Sequence, residues 1–81
     1  MINTEVPQDI MDRIDETFPD REFLGVADIS QYLEVPERTV RGLIARKELL
    51  AIKIGREFRI PVNRFKRYMV ESATSHEPET D

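Results

Sequence analysis

VADISQYLEVPERTVRGLIAR, residues Val26 to Arg46, decides how this chain folds. Val26, Ile29 and Leu33 recur at i, i+3 and i+7, which puts them on one face of a helix. Val40, Leu43 and Ile44 repeat the pattern a few residues on. Between the two runs, Glu34-Val35-Pro36 interrupts the helix, because Pro36 has no N–H to donate and drives Val35 toward extended geometry. Ser30 stands mid-helix as a small residue at which a second helix can cross closely. The face of the second helix turned away from its apolar residues carries Arg38, Arg41 and Ala45. One helix is thus a buried strut, and the next offers cations and small side chains to a groove.

Downstream, the period changes from helical to alternating. Leu50, Ile52 and Ile54 alternate with Ala51 and Lys53, and Phe58 and Ile60 alternate with Glu57 and Arg59. Gly55-Arg56 between them predicts a two-residue turn, with Gly supplying positive φ, and hence a hairpin that projects as a wing. One face is expected to be apolar and to cover the helices. The other is expected to offer Lys53 and Arg59, with Arg56 at the tip. Pro61 then opens a last helix whose stripe is Val62, Phe65, Tyr68 and Met69, leaving Asn63, Arg64, Lys66 and Arg67 outside it. Tyr32, Phe58, Phe65 and Tyr68 read as core. Beyond Ser72 the chain is polar and acidic and reads as disordered, and its single histidine, His76, falls there.

Upstream, Gly25 is placed at the N-cap of the first motif helix, Phe23-Leu24 reads as a strand fragment, and Asp20-Arg21-Glu22 as a polar turn. Pro7 opens an earlier helix with Ile10, Met11, Ile14 and Phe18 on one side. Asp9, Asp12, Asp15 and Glu16 form a solvated face on the other. That apolar stripe packs either on the domain or on a partner. The resulting division is an acidic helical extension at 1–22, a central domain at 23–71 and an acidic tail at 72–81.

Eighty-one residues, 40% of them hydrophobic, suffice for one small core. With no cysteine, disulfides and thiolate metal sites are excluded, which suits a reducing cytoplasm. No apolar run reaches the ~20 residues of a bilayer span, and the N-terminus has no pattern of a secretory signal. The formal charge of −4 conceals a strong asymmetry. Residues 1–34 carry nine acids and two bases, a balance of −7, and residues 69–81 carry four acids and no base. Residues 35–68 carry ten bases against Glu37, Glu48 and Glu57, a balance of +7. A basic surface confined to one segment is the footprint of a nucleic-acid binder. Nothing in the chain assembles a nucleophile and a base, and there is no Gly-rich phosphate loop, so neither an enzyme nor a cofactor is expected.

The ordered set helix, turn, helix, wing, closing helix resembles the excisionase-type, MerR-like winged helix-turn-helix DNA-binding domains. The residues that carry the resemblance are Leu24-Gly25-Val26, Asp28-Ile29, Tyr32-Leu33, Val35, Thr39-Val40, Leu43-Ile44, Glu48-Leu49 and Ile54 to Pro61. The resemblance implies a mainly α fold with a small β-hairpin, and double-stranded DNA as the partner. It implies that Arg38, Thr39, Arg41 and Arg46 face DNA from the second motif helix, and Lys53, Arg56 and Arg59 from the wing. On the last helix, Arg64, Lys66 and Arg67 are read as phosphate contacts or solubilising charge rather than as base readers. The chain departs from the pattern at Glu34 and Lys47, where Gly is usual, at Pro36, where a Ser-like cap is usual, and at Gly42 within the second helix. MerR-type regulators append a long dimerisation helix; here the last helix is read to end near Ser72. The favoured expectation is therefore an excisionase that loads as a monomer on tandem sites, associates with itself on DNA and bends it for an integrase. A small MerR-like transcriptional regulator, or a protein-interaction module acting through the acidic helix, is the alternative.

Overall fold

The computed structural model describes residues 7–75. In chain order they form α1 (Pro7–Thr17), β1 (Phe23–Leu24), α2 (Val26–Leu33), α3 (Glu37–Ala45), β2 (Ile52–Ile54), β3 (Glu57–Pro61) and α4 (Val62–Ser75). The wing is the β2–β3 hairpin, and β1 adds a third strand on the far side of β3, giving the antiparallel order β1-β3-β2. The fold is a winged helix-turn-helix. Helix α4 continues to Ser75, three residues beyond the expected end at Ser72, so 72–75 are helical rather than part of a disordered tail. The expectations for residues 1–6 and 76–81, including His76, lie outside the described residues.

The amphipathic stripes read from the sequence meet in one core. Ile29 of α2, Val40 and Leu43 of α3, Leu49, Ile60 of β3, and Val62 and Phe65 of α4 are buried together with Leu24. Ile14 of α1 is fully buried in the same cluster, with Ile10 and Phe18 packed against it. The helix before the motif thus docks within the chain, which decides between the two roles open to its stripe. Phe18, Tyr32 and Phe65 pack in a row, the first pair tilted and the second edge to face, with centroids 5.6 and 5.7 Å apart, linking the end of α1 to α2 and α4. Lys66 Nζ lies 2.6 Å from Asp15 Oδ1 and ties α4 to α1.

Both motif helices end on a left-handed residue. Glu34 has φ 59° and Lys47 φ 65°. Val35 N–H bonds to the Ser30 carbonyl and Glu34 N–H to that of Gln31; Glu48 N–H bonds to the Leu43 carbonyl and Lys47 N–H to that of Ile44. Each is the paired closure of a Schellman motif, for which Gly is the unstrained residue. This explains why the two positions are departures from the Gly-bearing pattern. Ser30 does more than leave room for a crossing helix: its hydroxyl donates to the Val35 carbonyl at 2.6 Å and clamps the turn.

The wing corrects one expectation. Its two-residue turn, with Gly55 at φ 64°, pairs Ile54 with Glu57, Lys53 with Phe58 and Ile52 with Arg59. Directly paired residues share a face of the sheet. Ile52 and Ile54 therefore lie on the outer face with Glu57 and Arg59, not on the core face with Phe58 and Ile60. Lys53 sits on the core side, its Nζ 5.6 Å from the centroid of the Phe58 ring. Leu50, Ile52, Ile54 and Phe23 remain exposed, from 41 to 60%.

Candidate nucleic-acid interface

Helix α3 begins at Glu37, after Pro36 in extended geometry with no side chain to cap it. Burial of Val40 and Leu43 turns Arg38, Thr39 and Arg41 to solvent. The sequence places Gly42 as an exposed residue of this helix, but it is half-buried, because the guanidinium of Arg46 lies back across it; a Cβ there would sit 3.4 Å from Arg46 Nη1. Arg38, Gly42 and Arg46 are spaced at i, i+4 and i+8, so two cations flank a notch in one row of the helix surface.

Helix α2 is closed at its start by an acid. Gly25 has no side chain to cap the helix, and Asp28 Oδ2 instead accepts the Gly25 N–H at 2.8 Å. That bond first, then the Arg21 guanidinium at 2.8 Å and the charge of Arg59, hold the Asp28 carboxyl below its usual range despite partial burial. The start of α2, the first turns of α3 and the wing enclose a groove of about 390 Å³. Arg41, Arg56 and Arg59 line it together with Asp28, Glu37 and Glu57.

Three of the cations singled out by the sequence, Arg41 from α3 and Arg56 and Arg59 from the wing, are thus brought around one groove. Arg38 and Thr39 share the exposed surface of α3, and Arg46 stands at its end. Arg64 and Arg67 are exposed on α4. Lys66 is set apart: its side chain is only 20% exposed and is committed to Asp15. Among the described residues, Arg38, Arg56 and Arg64 form no ion pair. Each of the three acids in the basic segment holds one of the singled-out arginines: Glu37 with Arg41 at 3.0 Å, Glu48 with Arg46 at 3.1 Å and Glu57 with Arg59 at 3.0 Å. Only the first pairing was legible in the sequence, as an i,i+4 spacing on a helix. The outward Ile52 and Ile54 were legible too, by counting residues back from a two-residue turn.

The described residues hold no cluster of three His, Asp or Glu able to bind a metal, and no helix among them is long and apolar enough to cross a membrane. A family described as a helix-turn-helix domain matches residues 23–71, more than half of the chain. Comparison with curated proteins and with solved structures found no match.

Proposed function

The chain belongs to the helix-turn-helix domain family, and from that premise we propose that it is a sequence-specific binder of double-stranded DNA of the excisionase type. In this reading α3 enters the major groove, where Arg38, Thr39, Arg41 and Arg46 meet base edges and phosphates. Lys53, Arg56 and Arg59 contact DNA from the wing, and Arg64 and Arg67 hold phosphates from α4. The observation that carries the reading is the grouping of Arg41, Arg56 and Arg59 around one groove, beside a row in which exposed Arg38 and Arg46 flank Gly42. The +7 balance of residues 35–68 supplies the sequence-independent attraction.

One recognition helix and one wing offer few base contacts. Copies on adjacent sites gain affinity from the high local concentration that DNA imposes on them, and bending the duplex is the service an integrase requires. The excisionase reading takes this cooperative loading as its signature, whereas a dimeric regulator would bind as a preformed pair. Sedimentation without DNA, with gel shifts on one and on several directly repeated sites, tests it. The expected result is a monomer that loads cooperatively. A stable solution dimer protecting a single inverted repeat overturns the excisionase reading.

A further inference from the structure

Ile54 is the most exposed large apolar side chain among the described residues, at 60%. It sits at the last β2 position before the Gly55-Arg56 turn, so it borders the tip of the wing. The two-residue register leaves it no alternative, since turning Ile54 inward would carry Phe58 and Ile60 out of the core. Its surroundings are cationic. Arg56 is exposed in the turn beside it, and the charge of Glu57 opposite is met by Arg59 at 3.0 Å. An apolar group presented among arginines suits a polyanion with apolar walls.

We propose that Ile54 is a wedge for the minor groove: with α3 in the major groove, the wing tip enters the adjacent minor groove and Ile54 inserts at a base step. The inference rests on the DNA-binding reading of the previous section and adds the residue that deforms the duplex. Size favours DNA over a protein as the occupant. Specific protein interfaces bury about 1,200 Å² or more in total, far beyond what Ile54, with Ile52 and Phe23 on the same outer face, exposes on so small a sheet, whereas a single apolar side chain suffices to unstack a step. Width predicts the consequence. Two paired strands are about 4.8 Å apart before side chains are added, against a minor groove about 6 Å wide. The tip therefore enters only if the groove opens, which bends the helix toward the major groove.

The test uses the full chain and a duplex bearing one selected site, with 2-aminopurine at successive steps to report unstacking and end-to-end energy transfer to report bending. Wild type is expected to raise 2-aminopurine fluorescence at one step and to shorten the end-to-end distance. Ile54→Ala and Ile54→Ser are expected to abolish the fluorescence rise and to weaken single-site binding about 5- to 20-fold, the effect of leaving about three-fifths of an isoleucine in water. Ile54→Leu is expected to retain both signals, and Ile52→Ala to leave the fluorescence rise in place. Because Ile54 makes no core contact, melting of the free variants should match wild type. Normal unstacking and bending by Ile54→Ala overturns the wedge and leaves the DNA reading standing. So does a loss confined to cooperative loading on tandem sites, which would assign Ile54 to a neighbouring protein. Failure of wild type to bind any duplex overturns both.

Discussion

Replacing Gly42 by Ala should move stability and DNA affinity in opposite directions. Gly in a helix interior is about 1 kcal/mol less favourable than Ala, and Gly42 lies six residues into the nine-residue α3. The added Cβ would meet only Arg46 Nη1 at 3.4 Å, the far end of a flexible side chain that swings away at little cost. Nearly the whole propensity gain of about 1 kcal/mol should be realised, raising Tm by roughly 4–8 °C for a domain of this size. On the DNA side, Gly42 forms the notch between Arg38 and Arg46. A methyl group inserted into a close-packed contact typically costs about 1–3 kcal/mol, so cognate affinity should fall at least about fivefold. Calorimetric melting and fluorescence anisotropy on the same preparations read both effects. A raised Tm with unchanged affinity would show that the notch does not face DNA, and would refute this placement of α3. A lowered Tm would refute the helical account of Gly42 itself.

Ile14→Ala should destabilise the chain by about 2–5 kcal/mol, because Ile14 is fully buried in the shared core, and deletion of residues 1–20 should unfold it in denaturant titrations. Glu34→Gly and Lys47→Gly should each stabilise by about 0.5–1 kcal/mol, since relief of a left-handed side chain outweighs the added freedom of the unfolded state; equal or lower Tm would contradict the two Schellman closures. Asp28 contributes stability that is present above the ordinary aspartate pKa near 4 and is lost as pH falls through its lower folded value. Asp28→Asn should therefore melt earlier at pH 7 and converge with wild type in acid; a constant gap across that window would show that the carboxylate charge is not the cause.

The helices were legible because each buries one stripe and the stripes are regular. Val26-Ile29-Leu33, Val40-Leu43-Ile44 and Val62-Phe65-Tyr68-Met69 all point to the core that the structure contains. Strand β1 was visible only as the apolar pair Phe23-Leu24, since two residues carry no period, and its partner Ile60–Pro61 is far away in the chain. The wing and its turn are legible, but β2 starts at Ile52 rather than Leu50, β3 runs on through Pro61, and the faces of β2 are the reverse of those expected. Alternation within a strand does not tell which face is inside; the turn does, by fixing which residues lie opposite one another. Ser30 was read by its size, whereas its hydroxyl bond to Val35 depends on the left-handed turn between them. Contacts such as Lys66–Asp15 depend on how α1 crosses α4, and no local pattern encodes that.

The carboxylates in the basic segment bear on how many cations reach DNA. The pairs Arg41–Glu37, Arg46–Glu48 and Arg59–Glu57 are all largely exposed, and pairs of that kind contribute about 0–1 kcal/mol. Exchanging such a carboxylate for a phosphate is thus inexpensive, so these pairs hold the guanidinium groups near the groove without withholding them. Arg38, Arg56 and Arg64 need no exchange at all. Lys66 differs, because its ammonium is mostly covered at the contact between α1 and α4, and releasing it would loosen that packing. With Arg67, whose pair with Glu71 is equally exposed, and Lys53 of the wing, the eight cations assigned to DNA imply a slope of log K against log salt of about −7. Removing a true phosphate contact, as in Arg64→Ala, should flatten the slope by about 1 with little change in Tm. Lys66→Ala should do the reverse, lowering Tm while the slope stays near −7. If Lys66→Ala instead flattened the slope without loss of stability, the bridge to Asp15 would be too weak to keep Lys66 from DNA, and the division of the basic surface drawn here would be wrong.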